Sequence, residues 1–275
     1  MTIDEQNRGK AIERSLHEDF SRSILRRFTK ALEDYELIAR GDRIAVCISG
    51  GKDSMLMAKL FQERLSHSRG EFEAVYLVMD PGYSPENLAA IQRNADILGI
   101  PITVFETDIY RSVYNVGDSP CFLCSRMRRG HLYAKARELG CNKIALGHHY
   151  DDIIETILMS MLYGGQVRTM MPKVKSANYE GMELIRPMYY IREEDIKAWC
   201  GANSLEFIRC ACRATSGCGG EGNSKRAEIK RLIAQLREIN PQVEGNIFHS
   251  VMNVELNAII ECKFNGERHN FLEFY

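Results

Sequence analysis

Three groups of residues in this chain have the types and spacing for chemistry. The first is Ser49-Gly50-Gly51-Lys52-Asp53-Ser54, directly after an apolar run. Adjacent glycines let a backbone turn sharply and bring its N–H groups close to phosphate oxygens. A helix that starts there aims the positive end of its dipole at the anion. Lys52 adds a full charge, and Ser49 and Ser54 add hydroxyl donors. The run is shorter than G-x-x-x-x-G-K-[ST] and opens with serine, but the physics is related. A glycine pair alone marks only a strand-to-helix connection; the whole run after an apolar strand points to bound pyrophosphate.

The second group is sulfur. Cys121-Phe122-Leu123-Cys124 opens a basic stretch, and Cys210-Ala211-Cys212 follows much later, with Cys218 beyond it. A Cys-x-x-Cys at a helix start suits a metal, part of an iron–sulfur cluster or a redox pair. Four thiolates would suit zinc, and three would hold a [4Fe–4S] cluster with one iron open. The alternative is unrelated buried thiols, which fits Cys47, Cys141 and Cys262 in their apolar contexts; Cys200 is open. The third group is Gly147-His148-His149-Tyr150-Asp151-Asp152. Asp151 and Asp152 can hold Mg²⁺ beside phosphates, or one can act as general acid or base. Either can also cap the helix that follows.

These groups need a scaffold. Apolar positions at helical spacing predict a helix or helix pair over 11–39. Strands are predicted over 43–49, 72–79, 102–107 and 143–147, with a fifth over 184–188. Helices are predicted over 54–65, 85–98, 121–139 and 151–162, and again from 224. Strands alternating with helices of this length imply an α/β, Rossmann-like fold: a five-stranded parallel sheet with helices on both faces, plus N- and C-terminal helices. The expected organisation is a helical segment over 1–40, a catalytic domain over 41–210, and a glycine-rich loop with a helical segment over 211–275. The loop 213–224 is expected to be mobile. In such a sheet the phosphate loop, Asp80 after the second strand and the His-Asp segment after the fourth all fall at the carboxyl edge, where ligands gather. For Asp80, an ordinary turn before Pro81 is the competing reading.

Composition sets limits. Of 275 residues, 45% are hydrophobic and 27% charged, ordinary for a globular protein. No apolar run approaches a membrane span, and the polar N-terminus has no secretory character, so a cytoplasmic location without membrane contact is expected. The nine cysteines are an odd count without a secretion signal, which argues against a disulfide framework. A net charge of −1 leaves room for a local basic face but not for a strongly basic surface.

Taken in order, the motifs resemble a known family. Ser49-Gly50-Gly51-Lys52-Asp53-Ser54 is similar to the signature of PP-loop ATPases, which cleave ATP to AMP and pyrophosphate to activate a carbonyl or acid. Met79-Asp80-Pro81-Gly82-Tyr83, Pro120-Cys121-x-x-Cys124-Ser125-Arg126-x-Arg128-Arg129-Gly130, Lys143 to Asp152, Tyr163-Gly164-Gly165, Met171-Pro172-Lys173 and Ile185-Arg186-Pro187 follow. Over residues 20–215 this resembles the tRNA 2-thiocytidine synthetases. The resemblance implies a dimeric tRNA sulfurtransferase that activates the C2 carbonyl of an anticodon-loop cytidine, at position 32, with ATP and Mg²⁺. Sulfur, from a donor such as a cysteine desulfurase, then replaces oxygen through a [4Fe–4S] cluster. It implies Ser49 to Ser54, Met79, Asp80, Gly147 and His148 around ATP, and Asp151, Asp152 and Arg128 in catalysis. Cys121, Cys124 and Cys210 hold the cluster, with Cys212 as the other choice for third ligand. Arg128 and Arg129, one turn past Cys124, are placed to steady phosphate charge or RNA backbone, a solvated helix face being the competing reading, and Arg126, Lys173 and Lys175 are further candidates for RNA contact. The family's proline and Cys-x-x-Cys at the third ligand are replaced here by Arg209-Cys210-Ala211-Cys212. Other readings are a PP-loop thiolase acting on another base such as uridine and a zinc-containing PP-loop ligase; zinc-stabilised PP-loop enzymes such as the tRNA thiouridine synthetases commonly carry cysteine motifs at the termini, and residues 1–40 hold no cysteine. A PP-loop amidotransferase has no need of Cys-x-x-Cys beside ATP, and a non-catalytic RNA adaptor fits poorly with near-neutral charge.

Overall fold

The computed structural model describes residues 3–68, 70–109, 120–208, 224–273 and 275, with backbone alone at 3–6 and 120–125. Strand β1 (Arg43–Ile48) is buried along nearly its whole length, as a central parallel strand must be. It pairs in parallel with β2 (Glu73–Asp80) on one side and β4 (Lys143–Ala145) on the other, so Ala45 lies between Val75 and Ile144. β3 (Ile102–Glu106) adds parallel to β2, and β6 (Glu183–Ile185) parallel to β4. These are the five parallel strands expected from the pattern. A sixth, β5 (Lys173–Lys175), adds antiparallel to β6 at the edge and was not foreseen. Three residues are too few to show alternation. The sheet order is β3-β2-β1-β4-β6-β5.

Helices connect these strands: α3 (Lys52–His67), α4 (Pro85–Leu98), α5 (Pro120–Glu138) and α6 (Tyr150–Gly164); α7 (Glu193–Ala202) follows β6. α4 shows how locally the bounds are written. The Ser84 hydroxyl accepts from the Asn87 N–H, Pro85 takes the first turn, and Gly99 ends the helix at φ 68°. The N-terminal prediction resolves into α1 (Ile3–His17), a π turn at Ser21–Leu25 and α2 (Arg26–Asp34). Ile12, Leu16, Ile24 and Phe28 from this region are buried in the same core as Ile44, Val46, Met55 and Phe61.

The chain divides into two compact units, Met1–Ile153 with Met171–Asn223, and Ile154–Met170 with Ser224–Tyr275. The first holds the sheet. The second holds most of α6, then α8 (Lys225–Ile239), α9 (Val243–Ser250) and a hairpin of β7 (Glu261–Phe264) with β8 (Glu267–Asn270). Within it, the buried Glu155 carboxylate lies 3.3 Å from Arg226 Nη1 and 3.6 Å from Lys230 Nζ. The helical pattern after 224 is right for α8 and α9 and ends there. The hairpin turns on Asn265 and Gly266, both at positive φ (51° and 88°), the pair that such two-residue turns favour.

At the base of β4, the buried Lys143 Nζ sits 2.7 Å from Asp42 Oδ2 and donates to the Leu37 carbonyl. Burial pushes the Asp42 carboxyl up, but Lys143, the Ala39 N–H and the Asn142 amide outweigh it and hold the carboxyl below its ordinary 3.8. A lowered folded value means that stability is fully present above the ordinary value and is lost as pH falls through the folded one. Lys143→Met strands a buried carboxylate and is expected to cost about 3 kcal/mol at neutral pH. Urea melts from pH 7 to 3 should show the gap between wild type and variant closing at the acid end.

Candidate functional site

β1 and β4 are neighbours whose connections leave in opposite directions along the sheet, to β2 and β5. Their carboxyl ends open a crevice at that switch point. A cavity of about 290 Å³ fills it. Its wall is Cys47, Ile48, Ser49, Asp53 and Ser54 from β1 and α3, Met79 and Tyr83 from the end of β2, Leu146, Gly147 and His148 from the end of β4, and Arg128 and Leu132 from α5.

The phosphate loop is strained into shape and closed by its own side chains. Gly50 sits at φ 82°, and a Cβ there would lie 2.6 Å from Ile91 Cγ1 and 2.7 Å from Ile208 Cδ1. The Ser49 N–H donates to Ser54 Oγ at 3.1 Å, and the Ser54 hydroxyl donates to the Gly51 carbonyl at 3.0 Å. The Ser54 hydroxyl is therefore committed to the loop rather than aimed at a ligand. Gly51 caps α3 without a side chain, so no side chain of the cap covers the first N–H groups of that helix. A Cβ at Gly147 would meet backbone atoms of Asp53 and Ser54 at 3.2 Å, so only glycine lets β4 end against the start of α3.

Lys52 is bridged by two carboxylates: Nζ lies 3.0 Å from Asp53 Oδ1 and 3.2 Å from Glu193 Oε1. Burial lowers its pKa, but the two carboxylates outweigh burial and leave the group more firmly charged than a free lysine. Glu193 begins α7, and its N–H donates to Asp151 Oδ2 at 2.7 Å. Asp152 Oδ2 accepts from the His149 N–H at 3.1 Å, capping its own helix. The expected carboxylate pair thus caps two helices, and both members stand outside the cavity wall. Between them lies the buried His149, its Nε2 3.5 Å from Asp152 Oδ2 and 3.9 Å from Asp53 Oδ1.

Asp80 follows the turn reading: its Oδ1 accepts from the N–H groups of Gly82 and Tyr83. That turn presents Tyr83, whose hydroxyl donates to the Ser49 carbonyl at 3.2 Å and accepts from Arg128 Nη2 at 3.3 Å. α5 is thereby tied to the phosphate loop through one tyrosine. Tyr83 was visible in the motif but had no role assigned to it. Glu193 carried no signal, because only the fold brings the start of α7 to Lys52. Of the suggested RNA-contacting residues, Arg126 and Lys175 are exposed, while Lys173 Nζ donates to the Glu36 carbonyl.

Cys121 and Cys124 lie at the start of α5, with Cys124 one helical turn before Arg128. Cys210, Cys212, Cys218 and the glycine-rich loop lie outside the described residues. Among the described residues, no three His, Cys, Asp or Glu side chains gather as a metal site. Cys47, Cys141 and Cys200 are buried, and burial raises the thiols of Cys47 to about 12 and Cys200 to about 11, which leaves them protonated and inert. No helix among the described residues is long and apolar enough to cross a membrane.

A parallel sheet carrying this strand, glycine turn and helix N-terminus at its switch point defines the PP-loop class, and the PP-loop domain family matches residues 20–214. The tRNA-cytidine(32) 2-sulfurtransferase of Anaeromyxobacter dehalogenans (strain 2CP-C) is 37% identical over 243 residues, 87% of this chain and 82% of that protein. Its counterpart from Coxiella burnetii (strain Dugway 5J108-111) is 37% identical over 235 residues, 84% and 90%. The chain belongs to this tRNA 2-sulfurtransferase family. The fold is shared with the U34-tRNA thiolase NcsA from Methanococcus maripaludis with its [4Fe-4S] cluster, at TM-score 0.68 and 22% identity over 88% of this chain and 83% of that one.

Proposed function

We propose that this protein thiolates tRNA, using ATP to activate the C2 carbonyl of cytidine 32 and exchanging its oxygen for sulfur. The observation that carries this is the cavity wall, shared between the phosphate loop and α5, the helix whose start holds Cys121 and Cys124. ATP lies with its phosphates on Ser49 to Ser54 and its base toward Met79, Gly147 and His148. The carbonyl oxygen attacks the α-phosphate and pyrophosphate leaves; sulfide-level sulfur then adds at C2, the C2–O bond breaks and AMP leaves with no change in oxidation state, persulfide sulfur from a desulfurase being first reduced to that level by two electrons from a thiol. Lys52 and Arg128 meet the phosphate charge. Asp53, beside the loop hydroxyls, offers a carboxylate for Mg²⁺ whose shell the phosphates complete. Asp151 and Asp152 hold α7 and α6 in place, and Asp152 beside His149 is placed to exchange a proton.

Ile208, the last described residue before the segment that holds Cys210, is packed on Gly50 of the phosphate loop. Cys121, Cys124 and Cys210 would hold a [4Fe–4S] cluster, which when bound would supply a place to carry sulfur. We further propose a cytoplasmic homodimer fed by a sulfur donor such as a cysteine desulfurase.

Lys52→Met is expected to weaken ATP binding about tenfold to a hundredfold, the worth of a hydrogen bond to a charged group, measured by calorimetric titration. The reading itself is tested by nucleoside analysis of tRNA from cells lacking the gene. It expects 2-thiocytidine to disappear; unchanged 2-thiocytidine with loss of a thiouridine would overturn it.

A further inference from the structure

Met79-Asp80-Pro81-Gly82-Tyr83 stands at the end of β2, and the reaction as described leaves Asp80 and Tyr83 without a part in it. The structure joins both to Arg128. β2 ends on Asp80, whose backbone carbonyl accepts from the Thr107 N–H at 2.8 Å. Its Oδ1 accepts from the N–H groups of Gly82 at 2.8 Å and Tyr83 at 2.6 Å. One carboxylate oxygen therefore fixes the backbone that carries Tyr83. The Tyr83 ring is half-buried and packs against the core that holds Ile48, Met55 and Ile91.

The hydroxyl has only one possible polarity. A carbonyl can only accept, and a guanidinium can only donate. Lying 3.2 Å from the Ser49 carbonyl and 3.3 Å from Arg128 Nη2, the hydroxyl gives its proton to the loop and takes one from the arginine. A hydroxyl that donates is a better acceptor, so the two bonds strengthen each other. Ser49, Tyr83 and Arg128 all line the cavity of about 290 Å³. Arg128 reaches that wall from α5 on a long side chain, and holding such a chain in one pose costs rotamer entropy. The contact with Tyr83 offsets that cost and fixes one edge of the guanidinium beside the loop.

We propose that Tyr83 is a positioning residue: standing on the Asp80 turn, it holds Arg128 toward the phosphates of ATP, where the guanidinium meets the negative charge that grows as the α-phosphate is attacked. The inference rests on the reading above that the glycine loop holds ATP for activation. Tyr83 touches no reacting atom and acts through Arg128.

Tyr83→Phe keeps the ring in the core and removes the hydroxyl alone, so the fold should survive, which thermal melting checks. ATP affinity is measured by calorimetry on iron-free protein. AMP formation at saturating ATP is measured on protein purified without oxygen and supplied with tRNA. Tyr83→Phe is expected to bind ATP within about threefold of wild type and to form AMP about tenfold more slowly, the worth of a hydrogen bond to a charged group. Arg128→Gln is expected to lose about a hundredfold in the same rate. If the tyrosine acts through the arginine, the double variant matches Arg128→Gln within about twofold; independent roles multiply to about a thousandfold and overturn the proposal. A Tyr83→Phe rate equal to wild type overturns it too, as does a loss that excess ATP restores.

A second measurement needs neither ATP nor tRNA. Phenylglyoxal modification of iron-free protein, mapped by mass spectrometry, should reach Arg128 severalfold faster in Tyr83→Phe, with the exposed Arg129 unchanged as reference. Equal modification of Arg128 in both proteins shows that the hydroxyl does not hold it. If wild type forms no AMP while Tyr83→Phe frees Arg128 in this way, the positioning stands and it is the activation reading that fails.

Discussion

Gly50→Ala is expected to lose ATP binding almost completely while the protein still folds around its sheet. Two costs add. A non-glycine residue at φ 82° carries strain of about 1–3 kcal/mol, and forcing a methyl into a packed contact costs about 1–3 kcal/mol more. The new Cβ would lie 2.6 Å from Ile91 Cγ1 and 2.7 Å from Ile208 Cδ1, so both side chains would have to shift to admit it. The cheapest escape is for the loop to flip, which turns its N–H groups away from the phosphates. A loss of about 3 kcal/mol corresponds to more than a hundredfold in affinity. Calorimetric titration with ATP reads it directly, and iron content gives the control: the cysteines are untouched, so iron should stay at the wild-type level. Wild-type ATP affinity in Gly50→Ala would show that the loop does not hold the nucleotide.

The reverse pattern is expected for Cys121→Ala and Cys124→Ala. Both positions lie at the start of α5, and alanine is the best helix former, so the helix survives the change. What disappears is a thiolate. Protein purified without oxygen should fall from about four irons per chain to near none, with loss of the broad visible absorbance. Thiolation of tRNA should fall to background while ATP binds as before. Cys210→Ala should behave alike and Cys212→Ala should not. Cys141→Ala and Cys200→Ala, which replace buried thiols, should keep iron and activity. Full iron in both Cys121→Ala and Cys124→Ala would sink the cluster assignment.

How much of this was legible beforehand depended on how local each signal was. Strand β1 with its glycine turn reads off ten residues, because the apolar run, the glycines and the helix start are contiguous. α4 is bounded by Ser84-Pro85 and Gly99, which act within one turn. The roles of Asp80, Asp151 and Asp152 were not separable in advance, since a carboxylate that caps a helix and one that holds a metal look alike until partners are seen. β5 was missed because three residues carry no period. The C-terminal hairpin was missed although Asn265-Gly266 announced it, because the helical run of α8 was extended past its end. Glu193 at Lys52 and the tie from Ser49 through Tyr83 to Arg128 depend on contacts between distant segments, and no window of the chain contains them.

The contact of Ile208 with Gly50 has a consequence for biogenesis. The strand, loop and helix from Arg43 to His67 leave the ribosome early, but Ile208, whose side chain packs on Gly50, is made far later. A chain synthesised at about 5–20 residues per second waits on the order of ten seconds between the two. Through that interval Gly50 lacks its Ile208 contact, so the loop reaches its final packing only when residue 208 has been translated.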